Sequence, residues 1–366
     1  MTVEASSSSG AGGRDCRRRA IRYANEHEAE AKVIERPEIG MWAGLGTLKA
    51  LIDDGRFLDE LGIPSIWCGE QQEAMVAAGV LATVVTRAAI GTAIAQITRP
   101  PALMALGATA MQVLTDNRFR LGLGLGSIGL ERWMGIPWAR RSQRFVEYVR
   151  AFRACMRASR SHPVTFEGEF YQIRGYGVLN EHAAPVPPVW VAAAGPLMLQ
   201  AAGAVGDGVL LINMFPPRYF LERGRSLVEQ GARRAGRDSA AVKIGFTRYV
   251  AVDHDRAVAR ERMRGTLARS AMADYHQQLL SLAGYGREAA AIKEANERGD
   301  PAAARAAVSD ELLDAVALAG TPDDVRRGVA AYAEFADLVL LHTTSYGLTP
   351  AEADAHNRAV AEAIAG

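Results

Sequence analysis

The chain has 366 residues, 49% hydrophobic and 23% charged, an ordinary globular composition with ample apolar material for a core. A formal net charge of +1, with acids and bases interspersed, excludes a global field drawing it to nucleic acid or a membrane surface. No apolar run reaches the roughly eighteen residues that span a bilayer, and three scattered cysteines (Cys16, Cys68, Cys155) offer no C-x-x-C pair.

Residues 1–36 are rich in Ser, Gly and Arg and have no apolar h-region, so they read as a disordered leader rather than a secretory signal. The sparing use of cysteine suits a reducing cytoplasm. One domain is expected over 37–366. It starts with "EIGMWAG" (Glu38–Gly44), a short apolar strand, and "LKALIDDGRFLDELG", whose Leu48, Leu51, Ile52, Phe57, Leu58 and Leu61 fall at helical spacing before Gly62. "IPSIWCGE" is strand two, "EAMVAAGVLATVV" a helix, and "AAIGTAI" (Ala88–Ile94) strand three. "PALMALGATAMQVLTDN" is a helix with proline in its first turn, and "FRLGLGLG" is strand four.

A long amphipathic helix is expected over Trp138–Ala158, then a hairpin over Pro163–Ile173 turning at Glu167–Gly168. "PPVWVAAAG" and "DGVLLIN" are strands five and six, each followed by a helix, and "AVKIGFTRYVAV" is strand seven. Residues 255–319 read as a helical insertion too long for one crossover. Thr321 caps the next helix with Pro322 at its first position, "ADLVLLH" is strand eight, and a last helix closes the chain. Eight strands that are apolar throughout and alternate with helices fit a (β/α)8 barrel with insertions. A doubly wound sheet is the other arrangement that holds such alternation.

The run "FRLGLGLGSIG" (Phe119–Gly129) has the spacing of a dinucleotide fingerprint but the wrong context. It follows the fourth strand, Pro137 interrupts what comes next, and the residues twenty further on are helical instead of an acidic strand end. Gly122, Gly124 and Gly126 alternate with Leu121, Leu123 and Leu125, so one face of this strand carries no side chains. If that face points inward, it leaves room for larger core residues or for a flat ligand. An anion is better placed at "AAAGP" (Ala192–Pro196), where small residues end strand five and open a helix. No H-x-x-x-H pair or carboxylate cluster suggests a metal, and no G-x-S-x-G suggests a serine nucleophile. Histidines other than His342 are expected in loops or polar helices.

Six stretches stand in one order from Glu38 to His342: "LGIPSIWCGE", "AAIGTAIAQITRPPALMALGATAMQVLTDNRFRLGLGLGS", "MGIPWARRSQRFVEYVRAFRACM", "PVTFEGEFYQI", "PVWVAAAGPLMLQAAGAVGDGVLL" and "AGTPDDVRRGVAAYAEFADLVLLH". Together they resemble the luciferase-like flavin and deazaflavin oxidoreductases, in particular the group that uses coenzyme F420. The resemblance implies a TIM barrel with cofactor and small-molecule substrate at the C-terminal strand ends. It also implies a phosphate clamp at Ala193, Ala194, Gly195 and Pro196, and a cis peptide at Ala93–Ile94.

Relatives often carry an acid followed by His after strand two. Here Glu70 is followed by Gln71 and Gln72, so Glu70 is the candidate proton relay and the histidine is missing. Ser127 stands where some sugar-phosphate dehydrogenases of the family have a glutamate, which argues against that substrate class and leaves Ser127 as a candidate cofactor contact. His342 is a second candidate for proton transfer. Trp42 and Asn213 are further mouth candidates, Trp42 as a surface for a planar ring. The leading expectation is hydride transfer between F420 and a small organic substrate. The alternatives are an FMN-dependent monooxygenase and a non-catalytic flavin- or deazaflavin-binding barrel. Family members often form homodimers, although no interface is visible in the sequence.

Overall fold

A computed structural model of the protein describes residues 36–44, 48–69, 73–126, 139–177 and 184–365. Its strands in chain order are β1 (Glu38–Trp42), β2 (Ser65–Cys68), β3 (Ala89–Thr92), the two-residue β4 (Ala95–Gln96), β5 (Phe119–Gly124), β6 (Val164–Glu167), β7 (Gln172–Tyr176), β8 (Val189–Ala193), β9 (Gly208–Leu211), β10 (Lys243–Val252), β11 (Ala317–Gly320) and β12 (Leu338–Thr343). Eight of them pair in parallel in the order β1-β2-β3-β5-β8-β9-β10-β12, and β12 returns to β1. This is a closed (β/α)8 barrel, and the doubly wound alternative falls. β2 and β9 are buried along their whole length, as strands sandwiched between a barrel interior and a helical layer must be.

Local signals place the helices as the sequence suggests. The helix Leu48–Leu61 stops at Gly62, whose φ of +84° suits glycine. Pro101 opens the helix Pro101–Leu114. Thr321 and Asp324 form a reciprocal capping box at the helix Pro322–Ala330. No helix among the described residues is long and apolar enough to cross a membrane.

The face of β5 that lacks side chains points inward. A Cβ at Gly122 would collide with the Thr92 carbonyl oxygen and lie 3.6 Å from the Trp67 ring, while one at Gly124 would collide with Ile94. The Thr92 hydroxyl ties the same two strands together by donating to the Gly122 carbonyl at 2.8 Å. Gly91 likewise gives way to the indole of Trp67, and Gly208 and Gly245 to that of Trp190. The two indoles meet edge to face, 6.1 Å between centroids and 89° between planes. With Ala93, Leu210, Leu338 and Leu340 they fill the interior. The room left by the glycines is thus taken by core residues and by the turn at Ala93–Ile94, and a ligand is left the rim.

Three elements depart from the sequence reading. The hairpin turn runs through 168–171 instead of closing tightly at Glu167–Gly168, because the Glu147 carboxylate accepts from the backbone N–H groups of Glu169, Phe170 and Tyr171 at 3.0, 2.6 and 2.7 Å. That carboxylate organises the loop and fastens the hairpin to the helix Arg141–Met156. Residues 255–319 hold five helices (Arg256–Ser270, Asp274–Leu282, Gly286–Glu297, Pro301–Ala306 and Asp310–Val316) and then β11. β10 pairs with β9 only over Lys243–Phe246, so its second half would be an open edge there. β11 covers that edge, with Tyr249 opposite Ala317 and Val252 opposite Gly320. The run "ALAG" is too short and small to announce a strand. Finally, His276 and His356 are 4% and 7% exposed, so they are seam residues and not residents of polar helix faces.

Packing at the glycines gives opposite expectations for two alanine substitutions. Gly122→Ala should lower stability by about 1–3 kcal/mol or more, since the methyl group meets backbone that cannot retreat. Gly79→Ala, in the helix Ala74–Ala82 with nothing within 4 Å of the new atom, should raise it by roughly 0.5–1 kcal/mol. Urea unfolding midpoints of the two variants check both signs.

Candidate active site

The C-terminal strand ends form a rim with two unlike halves. On one side, β3, β5 and β8 contribute almost only small groups. The Ala93–Ile94 peptide is cis, at the bond where the resemblance puts one, and it separates β3 from β4. Ile94 reaches the glycine face at Gly124, where a Cβ would also lie 3.2 Å from that of Ala192, so the ends of β3, β5 and β8 converge on one spot. Gly126 follows with φ +75°; its α-carbon faces the buried Gln96 side chain, and its carbonyl accepts from Arg141 Nη2 at 3.4 Å. Ala193 is buried, and Ala194 and Gly195 are half-buried at the start of the helix Pro196–Val205. Gly195 is the N-cap and makes no side-chain capping bond, and nothing lies within 4 Å of where its Cβ would be. A helix N-terminus with open space in front is suited to an anionic group.

The other half is aromatic. His342, near the end of β12, faces inward above Leu338 and Leu340. Trp42 stacks on it, 4.4 Å between centroids at 13°, and Gly69 provides the space for the indole. Tyr249, opposite His342 in the β10–β12 register, leans on the imidazole at 5.1 Å. Asn213 Nδ2 lies 3.1 Å from His342 Nδ1. An amide nitrogen can only donate, so Nδ1 accepts and the ring proton of neutral His342 sits on Nε2. Burial pushes the imidazole down to about 4, which keeps it neutral at physiological pH. Asn213 Oδ1 is buried and has no hydrogen-bond partner among the described residues.

The helical insertion closes behind this half. Ser270 Oγ donates to the Tyr249 hydroxyl at 3.0 Å, and His276 Nδ1 lies 2.7 Å from the Ser270 carbonyl. Burial pushes His276 down to about 4, against hydrogen bonds to the backbone of Ser270 and Asn213 that favour its charged form. Next to Asn213, Met214 takes φ +64° and turns its side chain into the core of the insertion.

The structure thus brings Trp42, Asn213 and His342 together and sets Ala93, Ile94, Ala193, Ala194, Gly195 and Pro196 along the opposite side. Glu70 and Ser127 lie outside the described residues, as do Gln71 and Gln72. Tyr249, Ser270 and His276 escaped the sequence reading. The period of two in "KIGFTRYVAV" would have put Tyr249 on the inward face with Gly245 and Thr247, but nothing in the sequence links His276 to the rim. Cys68, close by at the end of β2, is buried with its thiol pushed up to about 12, so it supplies no nucleophile. Among the described residues no group of His, Cys, Asp and Glu could hold a metal ion.

Residues 30–337 match the family model of luciferase-like monooxygenases. The chain belongs to that family. Within it, the chain is 31% identical over 231 residues to a 5,10-methylenetetrahydromethanopterin reductase of Archaeoglobus fulgidus, covering 62% of this chain and 67% of the relative. In fold, this luciferase-like chain matches a coenzyme F420-dependent tetrahydromethanopterin reductase from Methanopyrus kandleri with a TM-score of 0.76 at 19% identity, over 90% of this chain and 98% of that one. An F420-dependent secondary alcohol dehydrogenase in complex with an F420-acetone adduct matches with a TM-score of 0.66 at 17% identity, over 90% and 99%.

The buried histidines set an acid limb for stability. His276 is held at about 4 in the folded state against 6.5 for a free imidazole. Between those values the unfolded chain binds more protons than the folded one, so stability is full above the window and falls as pH drops through it. Urea midpoints measured at pH 7 and pH 5 should fall for the wild type and fall less for His276→Gln. Equal losses would show that His276 does not contribute to this limb.

Proposed function

We propose that this luciferase-like protein transfers a hydride between the deazaflavin coenzyme F420 and a small organic substrate. The observation that carries the reading is the small-residue side of the rim, which ends in an uncapped helix N-terminus open at Gly195. The match to the methylenetetrahydromethanopterin reductase supports a reductase reading. The residues present fit such a group. Gly124 and Ala192 leave a low wall, Ala194 and Gly195 leave backbone N–H groups approachable, and the buried Asn213 Oδ1 offers an acceptor that lacks a donor.

When bound, the coenzyme supplies or accepts the hydride at its ring. The chain's own part is to bind, orient and exclude water. Ala193, Ala194, Gly195 and Pro196 hold the anionic tail on the helix N-terminus. Ala93 and Ile94 would support the ring, and Ser127 is the contact proposed from the sequence beyond β5. Trp42, clamped by His342, presents a flat indole edge to the mouth, and Asn213 fixes the imidazole. His342 holds a proton at Nε2 and is available as a neutral donor. Glu70, on the sequence reading, is the carboxylate proposed to relay a proton.

Gly195→Leu should fold normally, because the new side chain meets open space, and should weaken F420 binding at least about tenfold in an absorbance titration, as expected when backbone donors to an anion are covered. Unchanged affinity would remove the tail from this helix. Glu70→Gln should cut turnover by roughly 10²-fold or more, and full turnover would remove Glu70 from the relay. Titration with FMN alongside F420 separates the coenzymes: binding of FMN alone makes the protein a flavin monooxygenase. Binding of F420 with no hydride exchange over a broad substrate panel makes it a non-catalytic barrel.

A further inference from the structure

The exits of β10 and β12 carry Tyr249 and His342 to the rim, and just past those residues both strands are gripped by the closing helix Pro350–Ala365. Two consecutive residues of that helix, His356 and Asn357, are buried against the strands. Asn357 Oδ1 accepts from the hydroxyl of Thr343, the residue after His342, at 3.0 Å. His356 holds both strands at once: Val252 N–H donates to its Nε2 at 3.0 Å, and its Nδ1 lies 3.1 Å from the Thr344 carbonyl. A peptide N–H can only donate and a carbonyl can only accept, so the imidazole is neutral with its proton on Nδ1. Thr344 engages its other polar groups in the same seam. Its N–H donates to the Val250 carbonyl at 3.3 Å, and its hydroxyl meets that of Thr266 in the helix Arg256–Ser270 and accepts from the Tyr346 N–H at 3.1 Å.

We infer that His356 is an acid-released latch of the rim: only its neutral imidazole holds the exit of β10 to that of β12, and protonation at Nε2 frees the β10 exit just beyond Tyr249. A proton on Nε2 would point at the Val252 N–H, two donors with no acceptor between them, whereas the bond from Nδ1 to Thr344 survives. The grip is therefore lost on the β10 side alone. The register of β10 with β12 ends where Val250 meets Thr343, so beyond that point the imidazole bridges the two exits. Arg262 of the insertion opposes a second positive charge there, Asp253 at the end of β10 favours one, and the two are paired at 3.5 Å. The other charged groups around the closing helix are engaged elsewhere. Glu352 accepts from the Thr349 N–H at 2.7 Å, Asp54 from the Gly44 N–H at 2.9 Å, and Arg326 donates to the Ala363 carbonyl at 2.8 Å. Burial, and then Arg262, hold the imidazole below its ordinary value, so the latch is closed at neutral pH and opens on the acid side.

The latch belongs to the protein without coenzyme or substrate, so it is tested separately from the proposed hydride transfer. Imidazole and amide NMR spectra of the wild type are followed from pH 8 to pH 4. At pH 8 His356 is expected as the Nδ1–H tautomer, opposite to the Nε2–H tautomer of His342, and an Nε2–H His356 overturns the inference. As His356 protonates, the Val252 amide proton should move upfield with the same midpoint, and the Tyr249 ring protons should move with it. A Val252 amide that does not follow His356 removes the latch. So does a Val252 amide that moves while Tyr249 stays still, because the change is then confined to one bond. His356→Gln keeps an acceptor for the Val252 N–H and cannot titrate. It should abolish this step in the Val252 and Tyr249 signals and leave any later step due to His342, and a step retained at the wild-type midpoint overturns the inference. If His356→Gln does not fold, the wild-type titration decides alone.

Discussion

The edge-to-face pair of Trp67 and Trp190 is the constraint on which the rest of the barrel depends. Two indoles cannot enter an eight-stranded barrel unless the facing strands give up their side chains, and they do so at Gly40 and Gly91 for one ring and at Gly208 and Gly245 for the other. Interiors are packed as densely as organic crystals, so this matching of large and absent side chains leaves no channel. The residues gathered at the C-terminal strand ends form the rim, where barrels of this kind place their chemistry.

At the rim the same economy of side chains divides the mouth. The strand ends from β3 to β8 are kept low by alanine and glycine, and the helix after Gly195 begins without a cap. Across from them Trp42, Tyr249 and His342 pack on one another, and their polar atoms are met by Asn213 and by the insertion. One half is shaped for the backbone to approach an anion, and the other carries stacked rings and a neutral imidazole. His356 gives the closing helix a comparable role away from the mouth. Val252 N–H donates to its Nε2 at 3.0 Å and its Nδ1 donates to the Thr344 carbonyl at 3.1 Å, which ties the ends of β10 and β12 together.

The legible parts of this molecule were those encoded over short distances. The eight barrel strands announce themselves as apolar runs between caps and glycines, and Thr321 and Gly62 mark helix ends through their own backbone chemistry. The resemblance to a family pointed to Ala93–Ile94 and to the strand ends that gather at the rim. The hairpin turn was misread because a carboxylate from another helix, Glu147, shapes it. β11 is not legible because its reason to exist is the unpaired half of β10, 68 residues earlier in the chain, where Tyr249 pairs with Ala317.

The sequence by itself therefore determined the class of fold, the alternation of strand and helix, and the glycine-bearing face of β5, since periodicity and capping act within a few residues. Only the tertiary structure decided which way that face points, that Thr92 and Ile94 occupy its space, and that Ser270 of the insertion reaches Tyr249 at the rim. Those facts depend on strand closure and on burial. The hydrogen bonds and pKa shifts that follow arise between groups that no local pattern brings together.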